Sequence, residues 1–265
     1  DEDYNSLHVK QATEAYHIGE AAPAKSYLNQ EKILETILSS GADAIHPGYG
    51  FLSENSDFAN KCEKNKINFI GPSAASMDLC GDKMQCKSAM LKAKVPTVPG
   101  SPGLVKDVEE ALKIANDISY PVLLKSVFGG GGRGIRLVNN DKELREGFET
   151  VTSESISAVG KSAIIVEKFL QKTRHIEYQM ARDKHGNAVH IFERECSIQR
   201  RNQKLIEQTP SPIVDQETRD RIGELVVKAS HAVDYTNLGT AEFLRADNGE
   251  FYFIEINARL QVEHP

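Results

Sequence analysis

The 265 residues are 40% hydrophobic and 26% charged, with a formal net charge of −6. That balance supports buried cores and argues against disorder, and an acidic chain offers no overall attraction to nucleic acid or anionic lipid. No apolar run approaches bilayer-spanning length; AIIV at 163–166 is typical of the longest. Cys62, Cys80, Cys86 and Cys196 show neither CxxC spacing nor a dense framework, which reads as reduced thiols in a reducing compartment and makes cysteine metal binding unexpected. The chain begins with Asp1 and stops just after the motif-like run NARLQVEHP; truncation at both ends is expected, and nothing about targeting is read from the termini.

In chain order, Ile33, Leu34, Ile37 and Leu38 fall at helical spacing over 31–40, with Gly41 as a stop. ADAIH (42–46) reads as a strand, PGYGFLSEN as a loop, a helix begins near Ser53, and INFIG (67–71) is another strand. That rhythm predicts an α/β unit with parallel strands. Residues 73–94 look helical with a break at Gly81, and Pro96, Pro99, Gly100, Pro102 and Gly103 mark a boundary. DVEEALKIANDI (107–118) is an amphipathic helix. PVLLKSV (121–127) and GIRLV (134–138) are strands flanking a glycine loop, followed by a helix over 141–150 and the strand AIIVEKFL (163–170). HIEYQMAR (175–182) and AVHIFERE (188–195) are strands joined at His185-Gly186-Asn187, and Asp215 caps a helix running to about 233. TAEFLRA and EFYFIEIN flank Asn248-Gly249.

Three segments carry chemistry. GGGGRG (129–134) fits G-x-G-x-x-G through Gly129, Gly131 and Gly134, but a dinucleotide site needs a helix after the loop, and IRLV is β-like. A glycine turn between two strands, with Lys125 on the first, instead resembles a flap over a triphosphate, because glycine lets backbone N–H groups approach phosphate closely. A flexible hairpin tip explains the glycines alone equally well. SISAVGKS (155–162) ends like a phosphate loop but lacks its first glycine, and reads as a surface turn.

Asn248-Gly249 is a strong two-residue hairpin signal. If it forms the turn, Asp247 faces Glu250 and Glu242 faces Glu255. Opposed like charges destabilise a sheet, and a divalent cation would remove that penalty. Asn257, two residues on, shares the face of Glu255; two carboxylates and an amide oxygen suit Mg²⁺. Two solvated glutamates are the plainer alternative, but Glu255, Asn257, Arg259, Gln261 and Glu263 alternate without a break. Finally, ERECSIQRRNQK (193–204) reads as a basic strand, with Gln199, Arg201 and Gln203 on one face and Arg200, Asn202 and Lys204 on the other. It is either a charged edge strand or a bicarbonate or phosphate site.

HPGYGFLSEN (46–55), GDK (81–83), LLKSVFGGGGRG (123–134), RECSIQRRNQK (194–204) and FIEINARLQVEHP (253–265) together resemble the biotin carboxylase family in order and spacing over essentially the whole chain. Within the family the chain looks like the α subunit of an acyl-CoA carboxylase of the methylcrotonyl- or propionyl-CoA type. The resemblance implies mixed α/β and α+β architecture of the ATP-grasp fold. Residues 1–72 would form a partial N-terminal parallel α/β domain, 73–97 connecting helices, 98–168 the glycine-loop lid, and 169–265 a partial antiparallel catalytic domain.

Carried over by motif, Lys83, Lys125, Gly130, Gly131 and Gly132 match family positions that hold ATP phosphates. Glu167, Lys168, Leu170 and His175 match the adenine and ribose site, with Gln199 and Asn202 on its edge. Glu242, Glu255 and Asn257 match the metal positions. Lys204, Arg259, Gln261 and Val262 match the bicarbonate site, Glu263 the base that deprotonates bicarbonate, and Tyr49 a position near the biotin ring. Asn202 stands where the family commonly has histidine, Val127 and Phe128 where it has small residues, and Ala258 where it has threonine. The implied reaction uses ATP, Mg²⁺ (or Mn²⁺) and bicarbonate to carboxylate biotin on a carrier domain. Lys204, Arg259 and Glu263 would carry the chemistry. The implied partners are a biotin carboxyl carrier domain and a carboxyltransferase subunit in an oligomer, without nucleic acid or membrane. The setting would be the mitochondrial matrix of a eukaryote, or otherwise the cytoplasm. Another ATP-grasp carboxylate–amine ligase and a nucleotide-binding fragment without turnover are the rival readings.

Overall fold

The computed structural model describes residues 1–127, 134–160, 162–201 and 203–264. A one-turn helix α1 (Leu7–Gln11) precedes α2 (Gln30–Ser40), whose ends follow from local chemistry. The Asn29 side chain accepts the Lys32 N–H at 3.1 Å, and Gly41 adopts φ +72° at the C-terminus. Strand β1 (Ala44–Ile45) pairs in parallel with β2 (Asn68–Phe69), as the alternation of elements predicts. Between them runs α3 (Ser56–Lys64), capped by Asn55. Phe58 and Cys62 of α3 pack with Ile37, Leu52 and Ile67 in a small core.

The break expected at Gly81 lies one residue later. α4 (Ala74–Gly81) ends where Asp82 turns extended, and the Asp82 carboxylate accepts the N–H groups of Met84 and Gln85, both at 3.0 Å, to start α5 (Lys83–Lys92). Lys83 is therefore fixed in the first turn of a capped helix.

A three-stranded antiparallel sheet follows in the order β4–β3–β5 (Ile135–Val138, Val122–Ser126, Ile164–Lys168). Helices α6 (Val108–Ile118) and α7 (Asp141–Val159) cover it, burying Ala111, Leu112 and Leu144 on Val122, Leu124 and Val166. A strand does follow the glycine loop. The loop's Gly130, Gly131 and Gly132, with Phe128, lie outside the described residues, as do Asn202 and Lys161. The expectation of a surface turn over 155–162 is corrected: α7 continues through Ser155 to Val159, and Gly160 at φ +75° ends it. Val151 and Ser155 sit on its buried side, so the helical period outlasts the stretch over which it is obvious.

The largest sheet has the order β10–β9–β6–β7–β8, all antiparallel. Its strands are β6 (Arg174–Arg182), β7 (Ala188–Arg200), β8 (Gln203–Gln208), β9 (Asn237–Arg245) and β10 (Phe251–Asn257), with α8 (Gln216–Ala232) between β8 and β9. Alternation sends Ile176, Tyr178 and Met180 of β6 to one face, where they join Phe243, Phe253, Ile222, Val226, Met77 and Met90 in the main core. His175, Glu177 and Gln179 take the other face.

Two further expectations are corrected. The basic run is not one strand: β7 ends at Arg200, Arg201 takes φ +53°, and β8 starts at Gln203, so Gln199 lies opposite Lys204. The β9–β10 turn is not a two-residue one either. Ala246 donates to Glu250 O at 2.8 Å across three residues, with Gly249 at φ +87°, so Asp247 does not pair with Glu250. The strands then run with Phe251 opposite Arg245 and Phe253 opposite Phe243, until a bulge at Ile254 shifts the register and brings Glu255 opposite Glu242. The anticipated carboxylate pair exists because the longer turn and the bulge cancel.

Phe243 is fully buried and packs edge-to-face on Tyr178 and Phe253, with centroids 6.2 and 5.8 Å away. Phe243→Ala should cost about 3–5 kcal/mol in urea denaturation of the intact protein. A loss no larger than that of an exposed substitution would show that this face is not the core.

Candidate active site

Two clefts meet on the polar side of the large sheet. The first, about 580 Å³, is lined by Tyr49, His175, Gln199, Lys204, Glu242, Ile254, Glu255, Asn257, Arg259, Gln261, Val262 and Glu263. The second, about 360 Å³, lies between α5, the three-stranded sheet and β10; Lys83, Lys87, Lys125, Glu167, Lys168 and Leu170 border it. Both include Ile254 and Glu255, the two neighbouring residues at the bulge.

Across the sheet, directly paired positions form a row: Glu255 of β10, Glu242 of β9, Glu177 of β6 and Arg194 of β7. Three adjacent carboxylates would not be tolerated without cations. Arg194 Nε donates to Glu177 Oε1 at 2.5 Å, and its other nitrogens reach Gln179 and Thr240. Lys204, crossing from β8, donates to Glu177 and, at 2.9 Å, to Glu242 Oε1. His175 Nε2 lies 2.9 Å from Glu242 Oε2, while Gln199 donates to His175 Nδ1 at 3.2 Å.

Burial acts most strongly on Glu242, pushing its pKa up, but His175 and Lys204 outweigh it and hold the carboxyl down at about 2. Burial likewise works against the charge on Lys204, yet Glu242 and Glu177 raise its pKa above the ordinary lysine value. Among the described residues no side chain pairs directly with Glu255: burial, and then the charge of Glu242, raise it, with Lys83, His175 and Lys204 pulling the other way. A cation shared by Glu242 and Glu255 would relieve that conflict. Asn257, whose amide donates to Glu242 Oε1 at 2.7 Å, would offer its oxygen on turning over. These oxygen donors fit a hard divalent ion.

On the far side, Gln261 is 3% exposed, and its Nε2 is buried without an acceptor among the described residues. Such a donor is costly unless a ligand completes it. Arg259 approaches Glu54, with Nε 3.4 Å from Oε2, and Glu54 also accepts the Ala258 N–H at 2.9 Å; the HPGYGFLSEN loop thus braces the NARLQVEHP run. Tyr49 is 41% exposed at the rim.

Residues 1–77 match the family model described as biotin carboxylase, N-terminal domain, and residues 82–265 that described as carbamoyl-phosphate synthase L chain, ATP binding domain. A biotin carboxylase from Nostoc sp. is 51% identical over 99% of this chain and 59% of its own length. The chain belongs to the biotin carboxylase family. The mitochondrial propionyl-CoA carboxylase alpha chain of Homo sapiens is 49% identical over all of this chain and 36% of its own length. Among solved structures, the biotin carboxylase domain dimer of Hydrogenobacter thermophilus 2-oxoglutarate carboxylase, in complex with MgADP, ADP and bicarbonate, superposes with a TM-score of 0.85. It shares 50% identity, covering 100% of this chain and 58% of that one. The chain thus spans less than two thirds of the length of these three relatives.

The biotin carboxylase motifs do not fall into one site. The first cleft gathers His175 and Gln199 with the carboxylates, apart from Glu167, Lys168 and Leu170 in the second. Lys168 spends its ammonium on the Ser119 and Tyr120 carbonyls, at 2.9 and 3.0 Å. Glu177, Lys87 and Glu54 escaped sequence reading. Glu177 was accessible to it: His175, Glu177 and Gln179 alternate with Ile176, Tyr178 and Met180, a polar face as regular as the apolar one. Lys87 lies one helical turn after Lys83, a spacing that places both on one side of α5.

A carboxyl lowered by folding stabilises the protein above its ordinary pKa and loses that contribution as pH falls through the folded value. In metal-free protein, Glu242 should contribute fully above pH 4.5, with the contribution declining towards pH 2. Glu242→Gln should flatten that part of the stability profile, measured by denaturant titration at stepped pH. An unaltered profile would mean that the pairing with Lys204 and His175 stores no folding energy.

Proposed function

We propose that the chain binds ATP and bicarbonate and forms the carboxyphosphate that carboxylates biotin on a carrier domain, the first half-reaction of a biotin-dependent carboxylase. The observation that carries this reading is the buried Gln261 Nε2, without an acceptor among the described residues, in one cleft with Lys204, Arg259 and Glu263. Two cations and an orphan donor suit a small oxyanion, and a carboxylate beside them suits an oxyanion that must lose a proton. The cleft joins, at Glu255, a second one rich in lysines that suits a polyphosphate. The same proposal includes, as partners of the intact protein, a biotin carrier domain and a carboxyltransferase component. Their names span propionyl-CoA, pyruvate and 2-oxoglutarate carboxylases, which fits a first step common to all of them.

In this reading Lys204, Arg259, Gln261 and the Val262 backbone hold bicarbonate. Glu263 removes its proton, and the resulting oxygen attacks the γ-phosphorus as ADP leaves. Lys83 and Lys125 steady the phosphates, and Glu167, Leu170 and the Lys168 backbone border the adenosine. Positioning and fixed charge do most of the work. A divalent ion on Glu242, Glu255 and Asn257 would spread charge on the phosphate oxygens when bound. Carboxyphosphate breaks at its carboxyl C–O bond into CO₂ and inorganic phosphate; a ureido nitrogen of biotin, entering past Tyr49, gives its proton to that phosphate and forms the new N–C bond with the CO₂. The lid is assigned to residues 98–168, between a connecting segment (73–97) and the catalytic part (169–265).

Glu263→Gln keeps the shape and loses the base. In the intact protein it should slow bicarbonate-dependent ADP release by at least about 10²-fold while leaving Mg·ATP affinity nearly unchanged. Lys204→Ala should raise the bicarbonate concentration required. Normal turnover by Glu263→Gln would place the base elsewhere, and concurrent loss of nucleotide binding would make the residue structural.

A further inference from the structure

Glu167 sits where the three-stranded sheet faces α5, and each of its carboxylate oxygens has its own lysine. Lys125, from the same sheet, donates to Oε2 at 2.6 Å. Lys87, from α5, donates to Oε1 at 3.1 Å, and its side chain is only 14% exposed. Burial works against the charge on Glu167, but Lys125 and Lys87 together overcome it and keep the pKa below its ordinary value. Two cations therefore serve one carboxylate, a surplus of one positive charge in a cleft that also holds Lys83.

We propose that Lys87 is a positioning residue that keeps Glu167 paired, so that Lys125 is free to move onto nucleotide phosphate. The inference rests on reading this cleft as the nucleotide site. Lys125 donates to Glu167, so an arriving phosphate competes with that carboxylate. If Lys125 left Glu167 with no other partner, a buried unpaired carboxylate would remain, which is strongly unfavourable. Lys87 removes that obstacle: it comes from a different element, holds the other oxygen, and remains when Lys125 departs. A lysine retained only as a structural tie between helix and sheet would act on stability alone.

The test measures Mg·ATP and adenosine affinity by calorimetry in the intact protein and its variants. Lys87→Met should weaken Mg·ATP by about tenfold or more, the weight of one charge-assisted hydrogen bond, and leave adenosine, which has no phosphate to recruit Lys125, within about twofold. Lys87→Arg should restore ATP binding. The double variant Lys87→Met with Glu167→Gln should bind Mg·ATP within about threefold of Glu167→Gln alone, because an uncharged Glu167 no longer retains Lys125. Wild-type affinity in Lys87→Met, an equal loss for adenosine, or a double variant as weak as Lys87→Met would each overturn the inference. Absence of Mg·ATP binding by the wild-type protein would instead overturn the nucleotide reading itself.

Discussion

The site depends on a row of charges that a sheet should not tolerate. Glu255, Glu242 and Glu177 lie opposite one another on three neighbouring strands, where like charges repel at about 5 Å between Cβ atoms. The protein neutralises only part of the row. Arg194 and Lys204 complete Glu177; Lys204 and His175 complete Glu242. Glu255, at the end, has Lys83 acting from a distance and Glu242 acting against it. The uncompensated charge thus falls on the carboxylate shared by the two clefts, where a cation and phosphate oxygens are needed in the proposed reaction.

The surrounding structure serves that row. The Asp82 cap fixes Lys83 in the first turn of α5. The bulge at Ile254 turns two successive side chains, Ile254 and Glu255, into the clefts and sets the register that opposes Glu255 to Glu242. The left-handed backbone at Arg201 and the pairing of β8 with β7 set Lys204 beside Gln199, so that a lysine on an edge strand reaches Glu177 two strands inward and Glu242 three strands inward. Glu54 holds Ala258 and Arg259 from the N-terminal side, and nearby the buried Gln261 Nε2 has no acceptor among the described residues. Polar groups left incomplete in the free protein are the ones a substrate completes.

Much of this was legible in the sequence. Element order, the parallel first pair of strands, the Asp215 and Gly41 helix ends and the rejection of a dinucleotide loop followed from periodicity and turn chemistry. The Glu242–Glu255 pair was also anticipated, but by two errors that cancel, since neither a three-residue loop nor a bulge is visible in an Asn-Gly signal. The basic run reads as one strand because a strand-period pattern continues through Arg201, and only its left-handed backbone reveals the turn. Residues 155–159 read as a turn because serine and glycine suggest one even where the buried face of Val151 and Ser155 continues the helix. Glu177 shows a different failure. A carboxylate reads as solvated until tertiary pairing with Arg194 and Lys204, 17 and 27 residues away, accounts for its burial.

The central claim is that Glu242 and Glu255 form a cation site whose occupancy is tied to nucleotide. Mn²⁺ binding measured by water-proton relaxation, with and without ATP, tests it most directly. Enhanced Mn²⁺ binding in the presence of ATP is expected for the intact protein, with a marked loss in Glu255→Gln and none in Glu109→Gln, whose side chain pairs with Arg145 on an exposed helix surface. Equal Mn²⁺ affinity in the Glu255 and Glu109 variants would contradict the account, because the repulsion across β9 and β10 would then have no bearing on the metal.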